Sequence, residues 1–430
     1  MLLTSLVAAG GIAIACSSSD VILGASPDTG SDAAPPPVED AGLDGSRPPF
    51  EGAPLPVTCA SEPCAVSVVT THGSDLNVRS EGYCALLSDK TVACWGANGD
   101  GQLGRGPSYV YDSATPARVG GLSDVVELEH TCAVTAAGDV FCWGAGPFLQ
   151  DPEDTAAITK TASPVKLPLP PVAHIGIGHD VGCAALADGR VLCWGSNESG
   201  QLAPTWEDPP SASEPIAREV PDGAPVRRVM VGTTTFLLRE DGTVVSWGAN
   251  PPLGRSSSLF PDPTPRPMDV ANVTGLDLTH DNACMAAGGV VHCWGVPVYP
   301  GIPATPLDRA QPEAAFTPEP VVDVGTTRTF LERWATIPYR WCAVAHHGNV
   351  YCYGANESGQ VGDGSLDEAI EATQVADLPA PASRVKVTTS SSCALLTDGT
   401  VRCWGANYFG QLGNGQNRGR SLVPVEVILP

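Results

Sequence analysis

The sequence is poor in charged residues, and basic residues are especially scarce. Only 16% of its 430 residues are charged, with 23 Lys and Arg against 47 Asp and Glu. The resulting net charge of −24 repels phosphate backbones and anionic lipid headgroups, and the basic residues form no long run. We therefore expect no nucleic-acid partner and no membrane contact through a basic surface.

Motifs of catalysis and metal binding are also missing. The sequence has no Gly-x-Ser-x-Gly elbow, phosphate loop, zinc helix motif or dinucleotide fingerprint. Acidic pairs such as Glu153-Asp154 are typical of solvated loops in so acidic a chain. The loop at 98–101 resembles the start of a calcium loop but lacks the downstream Glu. We predict no catalytic residue, no cofactor and no metal site.

Glycine and proline, in contrast, are abundant, with 47 and 41 residues. This composition predicts many short apolar segments separated by turns, as in sheet proteins. The hydrophobic content of 43% is enough for a large core. We therefore expect an all-β protein with one large folded domain.

The N-terminus has the pattern of an export signal. Residues 1–15 are almost wholly apolar or small, and Ala13-Ile14-Ala15 directly precedes Cys16. The stretch is too short to span a bilayer, and small residues before a cysteine are typical of a cleavage site. It resembles a bacterial lipoprotein signal, which implies lipidation of Cys16 and a place at the outer membrane or cell surface. The alternative is an ordinary cleaved signal and a secreted protein.

Residues 17–56 have the composition of a tether. They are rich in Ser, Asp, Pro, Gly and Ala, and they contain seven acidic residues and only one basic residue, Arg47. Such a segment does not bury enough apolar surface to fold. We expect a disordered acidic tether over 17–56, followed by the folded domain over 57–430.

The folded domain consists of seven copies of one unit. The copies are centred on Trp95-Gly96, Trp143-Gly144, Trp194-Gly195, Trp247-Gly248, Trp294-Gly295, Tyr353-Gly354 and Trp404-Gly405, at intervals of 47 to 59 residues. Each copy contains short alternating strands around a turn such as Asp188-Gly189, which suits a two-residue hairpin. About fifty residues per unit is the size of a propeller blade, so we predict a seven-bladed β-propeller. We expect the last strand, at 423–427, to close the ring by joining a sheet with strands of the first unit.

The repeats resemble those of a known family. Trp95-Gly96-Ala97-Asn98 is followed by Gly101-Gln102-Leu103-Gly104, and Trp404-Gly405-Ala406-Asn407 by Gly410-Gln411-Leu412-Gly413. This pattern resembles the regulator of chromosome condensation repeat over about residues 66 to 430. The resemblance implies a seven-bladed propeller that binds proteins. In that family the roles include nucleotide exchange on a small GTPase and, in secreted bacterial members, inhibition of β-lactamases.

Fifteen cysteines favour an oxidising compartment. Six units carry a pair at positions that face each other across a hairpin, so we predict six hairpin disulfides. The pairs are Cys84 and Cys94, Cys132 and Cys142, Cys183 and Cys193, Cys284 and Cys293, Cys342 and Cys352, and Cys393 and Cys403. Cys59 and Cys64 form a seventh possible pair, which leaves Cys16 for the lipid. Zinc binding by the cysteines would require two-residue Cys-x-x-Cys spacings, which do not occur here.

Two groups of residues are candidates for function. The sixth unit contains an extra segment with Arg328, Arg333, Trp334, Tyr339 and Arg340, the residue types that dominate binding hot spots. The other interpretation is that these residues pack the blade and neutralise nearby acids. His130, His179 and His280 recur shortly before the second strand of their units, which favours a structural role in a turn.

We therefore expect a monomeric, non-catalytic binding module for an extracellular protein or glycan, attached to the membrane only through its lipid. The first alternative is a secreted or surface inhibitor of an extracellular enzyme such as a hydrolase. A carbohydrate-active propeller enzyme is the third hypothesis. Export and disulfides argue against nucleotide exchange.

Overall fold

The structure is a computed structural model of the chain. It describes residues 50–430 except 51, 76–79, 150–157, 203–212, 221–224, 281, 296–310, 328–329, 333–334 and 338–339, and only the backbone at 213–220, 330–332 and 335–337. Every regular element in this part of the chain is a β-strand. The same part contains no helix long and apolar enough to cross a membrane. Cys16 and the predicted signal and tether up to residue 49 lie outside the described residues.

Twenty-eight of the strands form seven antiparallel sheets of four consecutive strands each. The first strands of the blades are β1 (Ala65–Thr70), β5 (Val125–Glu129), β9 (Val172–Ile177), β13 (Val226–Val231), β17 (Val273–Thr279), β21 (Val321–Thr326) and β27 (Ala382–Val387). The second strands are β2 (Gly82–Leu87), β6 (Cys132–Thr135), β10 (Val181–Leu186), β14 (Thr234–Arg239), β18 (Asn282–Ala287), β24 (Trp341–Ala345) and β28 (Ser391–Leu396). The third strands are β3 (Val92–Gly96), β7 (Val140–Gly146), β11 (Val191–Ser196), β15 (Val244–Gly248), β19 (Val290–Gly295), β25 (Val350–Gly354) and β29 (Val401–Ala406). The fourth strands are β4 (Ser113–Arg118), β8 (Thr159–Lys166), β12 (Ser213–Val220), β16 (Asp262–Pro267), β20 (Glu313–Ala315), β26 (Ala369–Gln374) and β30 (Arg420–Glu426). The sixth blade also contains a small hairpin of β22 (Phe330–Glu332) and β23 (Ala335–Ile337), inserted between its first two strands.

The blades pack into a ring, and the prediction of an all-β, seven-bladed propeller is confirmed. Seven clusters of buried apolar residues lie between neighbouring blades, one at each junction. The tryptophan that six of the repeats carry at the same position explains much of this packing. Trp95, Trp143, Trp194, Trp247 and Trp404 are fully buried. Each donates its indole N–H to a backbone carbonyl of the preceding blade, as Trp143 does to Gln102 (2.8 Å).

The predicted mode of ring closure is wrong. The last strand, β30, pairs with β29 of its own blade rather than with a strand of the first blade. Each blade takes its four strands from one stretch of the chain, so no blade is shared between the two ends of the chain. Blade seven instead meets blade one through side chains. Trp95 donates to the carbonyl of Gln411 (3.0 Å), and the hydroxyls of Tyr83 and Ser391 lie 3.0 Å apart.

The six predicted hairpin disulfides are present, and Cys59 is bonded to Cys64. Each hairpin pair joins directly opposite residues on the second and third strands, with Cα atoms 4.0 to 4.1 Å apart. The fourth blade places Phe236 opposite Ser246 at this position. Phe236 is fully buried and meets Trp294 edge-on at 5.8 Å, so aromatic packing takes the place of a covalent link.

The described end of the predicted tether is packed on the propeller. Phe50 contacts the apolar cluster between blades six and seven, and the carbonyl of Leu55 accepts a hydrogen bond from Ser383. The backbone N–H of Thr58 donates to the carbonyl of Thr397 (2.7 Å). The described chain therefore contacts the propeller already at Phe50 and Leu55, which find partners that composition alone does not reveal.

Candidate functional site

The connection between the first and second strands of each blade carries a characteristic residue. His72, His130, His179 and His280 occupy it in blades one, two, three and five, and Thr233, Thr327 and Thr389 occupy it in blades four, six and seven. In an antiparallel blade these connections all lie at the same end of the sheet. The ring geometry therefore brings together residues that are far apart in sequence.

These connections surround a cavity of about 140 Å³ on the propeller axis, and all seven blades contribute to its lining. Its polar lining includes the four histidines just named and the hydroxyls of Thr70, Thr71, Thr326, Thr327, Thr388 and Thr389. Ile177, Val231, Leu278 and Val387 supply apolar surface. A concave site of mixed polar and apolar lining at the centre of a ring is the usual setting for recognition of a small group or a protruding side chain.

The histidines form a closely packed group. The rings of His72 and His130 are 3.5 Å apart between centroids. His130 donates from Nδ1 to the carbonyl oxygen of Thr70 (2.9 Å), and its Nε2 lies 3.5 Å from the carboxylate of Glu129. Burial lowers the pKa of His72 well below its ordinary value, and the charges that His130, His179 and His280 can carry lower this pKa further. Burial also lowers the pKa of His130, although Glu129 opposes the effect. His72 and His130 are therefore neutral at neutral pH.

One side of the cavity has a different character. Glu81, which is 5% exposed, accepts hydrogen bonds from Ser390 through both N–H (3.0 Å) and Oγ (2.6 Å), and from the hydroxyl of Thr388 (2.6 Å). Glu81 belongs to blade one, whereas Thr388 and Ser390 belong to blade seven. This buried carboxylate therefore closes the ring at the point where the predicted shared strand is missing.

Arg340 lies on the same side and corrects part of the predicted binding patch. Its side chain is 1% exposed, so it is not available to a surface partner. The guanidinium donates to the carbonyls of Thr388 (2.7 Å) and Ser391, and to the hydroxyl of Ser392 (3.0 Å). Burial lowers the pKa of Arg340 to about 10, which leaves it charged at neutral pH, while Tyr83 and Glu81 favour the charged form. Sequence composition does not show that this guanidinium finds five carbonyl and hydroxyl oxygens inside the ring. The other predicted patch residues, Arg328, Arg333, Trp334 and Tyr339, lie outside the described residues and stay a prediction.

The first strands are also linked by carboxylates. Glu127 accepts from the N–H of Ile175 (2.9 Å) and from His174 (2.7 Å) on the next blade. Asp277 accepts from the N–H of Thr326 (2.9 Å) and pairs with Lys386 (2.5 Å). These acidic residues fix neighbouring strands around the axis, so their role is structural.

The hydroxyl of Thr70 lies 3.3 Å from Nδ1 of His130. With Glu129 on the other side of the ring, the order hydroxyl, imidazole and carboxylate is that of a nucleophile with its base. Nδ1, however, directs its hydrogen at the carbonyl of Thr70 and has no lone pair with which to take a proton from the hydroxyl. In this arrangement His130 does not act as a base toward Thr70, and the contacts hold its imidazole in place.

The sequence contains a signal for this cavity. The recurrence of His130, His179 and His280 predicts a place in turns, and all three lie in connections between first and second strands. That these connections meet on one axis does not follow from the repeats, and His72 escapes the pattern because its connection is longer than those of the other three histidines. A comparison of all residues between the first and second strands would have found all four.

Comparison with known proteins agrees with the repeat pattern. The profile of the regulator of chromosome condensation (RCC1) repeat matches residues 172–201 and 385–411. The ultraviolet-B receptor UVR8 of Arabidopsis thaliana is 27% identical over 80% of this chain and 68% of its own length. The regulator of chromosome condensation of Mus musculus is 26% identical over 76% of this chain and 82% of its own. The structure of yeast RCC1 (Prp20) bound to Kap60 has a TM-score of 0.60 at 18% identity, covering 78% of this chain and 83% of that one, and it supports the fold alone.

Proposed function

We propose that this RCC1-type β-propeller is a non-catalytic module that binds an extracellular protein and is held at the cell surface by a lipid on Cys16. The axial cavity is the observation that carries the binding role. It offers neutral imidazoles and hydroxyls, which both donate and accept hydrogen bonds, around apolar surface from several blades. Such a site suits a protruding polar side chain of a partner.

The disulfides support the extracellular part of the proposal. All fourteen cysteines of the described residues are paired, and the hairpin pairs are buried. Disulfides of this number form and persist in oxidising compartments. The fifteenth cysteine is Cys16, directly after the apolar N-terminal stretch.

The described N-terminal segment meets the propeller away from the cavity. In an antiparallel blade, the turn between the second and third strands lies at the end opposite to the cavity connections. Thr58 and Ala60 donate to the carbonyls of Thr397 and Asp398, which belong to such a turn in blade seven. This segment is therefore not part of the cavity lining, which stays accessible to a partner.

A protein partner is favoured because a protein of the same fold binds another protein. The structure of yeast RCC1 is that of a complex with Kap60, a protein. We extend only the class of partner to this chain. The acidic surface composition gives no support for nucleic acid.

The binding role is tested by photocrosslinking in the native host. A photoreactive residue replaces Thr389 at the cavity or, as the control, the exposed Asp241 in a turn at the opposite end of blade four. We expect one discrete crosslinked protein from position 389 and none from 241. Crosslinks of equal yield at both positions, or none at 389, would contradict the proposal. A hydrolase as the captured protein, inhibited by the purified chain, would identify the inhibitor role as the form of binding.

The anchor is tested by the intact mass of the chain purified from host membranes, before and after reduction with thiol labelling. We expect an acylated cysteine at the N-terminus and seven disulfides without a free thiol. The variant Cys16→Ser should leave the membrane fraction and keep its disulfides. An unmodified N-terminus with free thiols would overturn the export proposal.

A further inference from the structure

The turn between the second and third strands of blade six departs from its counterparts. In blades one, three, four and seven this turn contains an Asp whose carboxylate accepts the N–H two residues later: Asp89, Asp188, Asp241 and Asp398. Blade six has His347 at that position, directly preceded by His346. The usual capping carboxylate is therefore replaced by two adjacent imidazoles.

A carboxylate lies beside this histidine pair. Glu319 immediately precedes Pro320 and the first strand of the blade, and the N–H of His346 donates to the carbonyl of Pro320 (2.9 Å), which ties the two loops together. Glu319 Oε2 is 3.3 Å from Nδ1 of His347. One ligand atom from each of Glu319, His346 and His347 lies within 4.8 Å of the other two, and no other set of three such residues in the described part of the chain does so.

The surroundings orient the carboxylate. Its second oxygen, Oε1, accepts hydrogen bonds from Asn349 (2.5 Å) and from the hydroxyl of Tyr351 (2.7 Å). Metal-binding carboxylates are commonly fixed by an outer shell of such donors, and loss of a donor weakens metal binding. Oε2 is thereby directed to the histidine side.

His346 gives independent support. Its Nδ1 is buried without a hydrogen-bond partner in the structure, and burial of an unpaired polar atom costs free energy. Phe50 packs edge-on against its ring at 5.5 Å, while the ring of His347 lies at 3.6 Å between centroids. The close contact of the two imidazoles and the unpaired nitrogen are both explained if the pair binds a ligand.

We propose that Glu319, His346 and His347 form a binding site for one divalent transition-metal ion of the zinc type. Two imidazoles and a carboxylate are a ligand set that zinc accepts, with water completing the coordination. The ion would join the loop before the first strand of blade six to its central hairpin, next to the point where Phe50 packs on the propeller. This site lies at the end opposite to the axial cavity and is independent of the proposed binding role.

The test measures zinc bound to the full chain by equilibrium dialysis with elemental analysis, and its affinity by competition with a chromogenic chelator. We expect one zinc ion per chain, and at least tenfold weaker binding in His347→Asn and in Glu319→Gln. The His347 side chain is 71% exposed, so its replacement should leave the fold intact, which an unchanged unfolding midpoint without metal would verify. His292→Asn, which removes a half-buried histidine of blade five, is the matched control and should bind as the wild type does.

Tyr351→Phe separates a positioning role from a merely structural one. It removes the hydroxyl that orients Glu319 and keeps the buried ring, and we expect zinc affinity to fall by roughly 10- to 100-fold. Zinc binding that is unchanged in both His347→Asn and Glu319→Gln would overturn the proposal. So would loss of the ion in His130→Asn with retention in His347→Asn, since the ion would then belong to the axial cavity.

Discussion

The axial cavity has two sides that use the same loop position for different purposes. On one side, blades one, two, three and five contribute histidines that line the cavity, and burial lowers the pKa of His72 and His130. On the other side, where blade seven meets blades six and one, Glu81 and Arg340 are buried in hydrogen bonds. We refer to these as the histidine side and the closure side.

The repeats therefore share one fold, but the side chains of their connections contribute differently to the stability of the ring. A ring assembled from seven complete blades has one junction at which the first and last blades meet without a connecting chain. Glu81 lies at this junction and reaches Ser390 of blade seven. Arg340 lies at the neighbouring junction, where it joins blade six to Thr388 and Ser391 of blade seven. On the histidine side, the histidines of four blades line the cavity.

Arg340→Met should have the largest effect on stability. It removes the buried donor of the Thr388 carbonyl and the charge-assisted bonds to Ser391 and Ser392, and the free energy of unfolding should fall by about 3 to 5 kcal/mol. Chemical denaturation with the disulfides intact measures it. Arg340→Lys keeps the charge without the planar fork and should lose less. If Arg340→Met is as stable as the wild type, the stability of the closure side does not depend on this charge.

Glu81→Gln should have the next largest effect, because it weakens charge-assisted bonds to Thr388 and Ser390 but keeps an acceptor. We expect a loss of roughly 1 to 3 kcal/mol by the same denaturation measurement. Glu129→Gln, next to His130 on the histidine side, is the control and should change stability less. The reverse order would break the comparison between the two sides.

Tyr83→Phe tests the contribution of a neutral bond at the closure side. It removes one hydroxyl that lies 3.0 Å from Ser391 Oγ and preserves the buried ring, so the expected loss is about 0.5 to 1.5 kcal/mol. A loss as large as that of Arg340→Met would mean that packing of the ring, rather than charge, dominates this junction.

The histidine side should affect stability only in acid. The pKa of His72 and His130 is lowered in the folded chain, so as pH falls through about 6.5 the unfolded chain takes up protons first and stability decreases. His72→Asn should change little at pH 7.5 and should reduce the loss between pH 7.5 and 5.5, measured by denaturation at both values.

His174→Asn is the opposite control. Its hydrogen bond to Glu127 raises the pKa of His174, so this pair contributes stability that is fully present below about pH 6.5 and is lost as pH rises through the folded value. The substitution should therefore make the loss in acid larger. If the free energy of unfolding changes equally with pH in both variants, the acid sensitivity does not come from the axial histidines.

The fold was predictable to the level of blades because its signals are local and repeated. The tryptophans at a spacing of about fifty residues, the Asp-Gly turns and the cysteine pairs each depend on neighbouring strands of one hairpin. The burial of Arg340 was not predictable for the opposite reason: its partners lie about fifty residues away in blade seven, and composition does not distinguish it from a surface residue. The prediction of a shared closing strand was wrong because the repeats alone do not show whether one blade takes strands from both ends of the chain.

The sequence by itself determined that this chain is a seven-unit β-propeller, since strand period, turn residues and cysteine spacing are set within about fifteen residues along the chain. Only the tertiary structure decided which residues meet on the axis and at the two ends of the ring. The ring brings together connections of different blades, such as those with His72 and His280, and the fold of blade six brings together two of its loops, with Glu319 and His347. These residues are far apart along the chain, so the local repeat pattern does not contain their contacts.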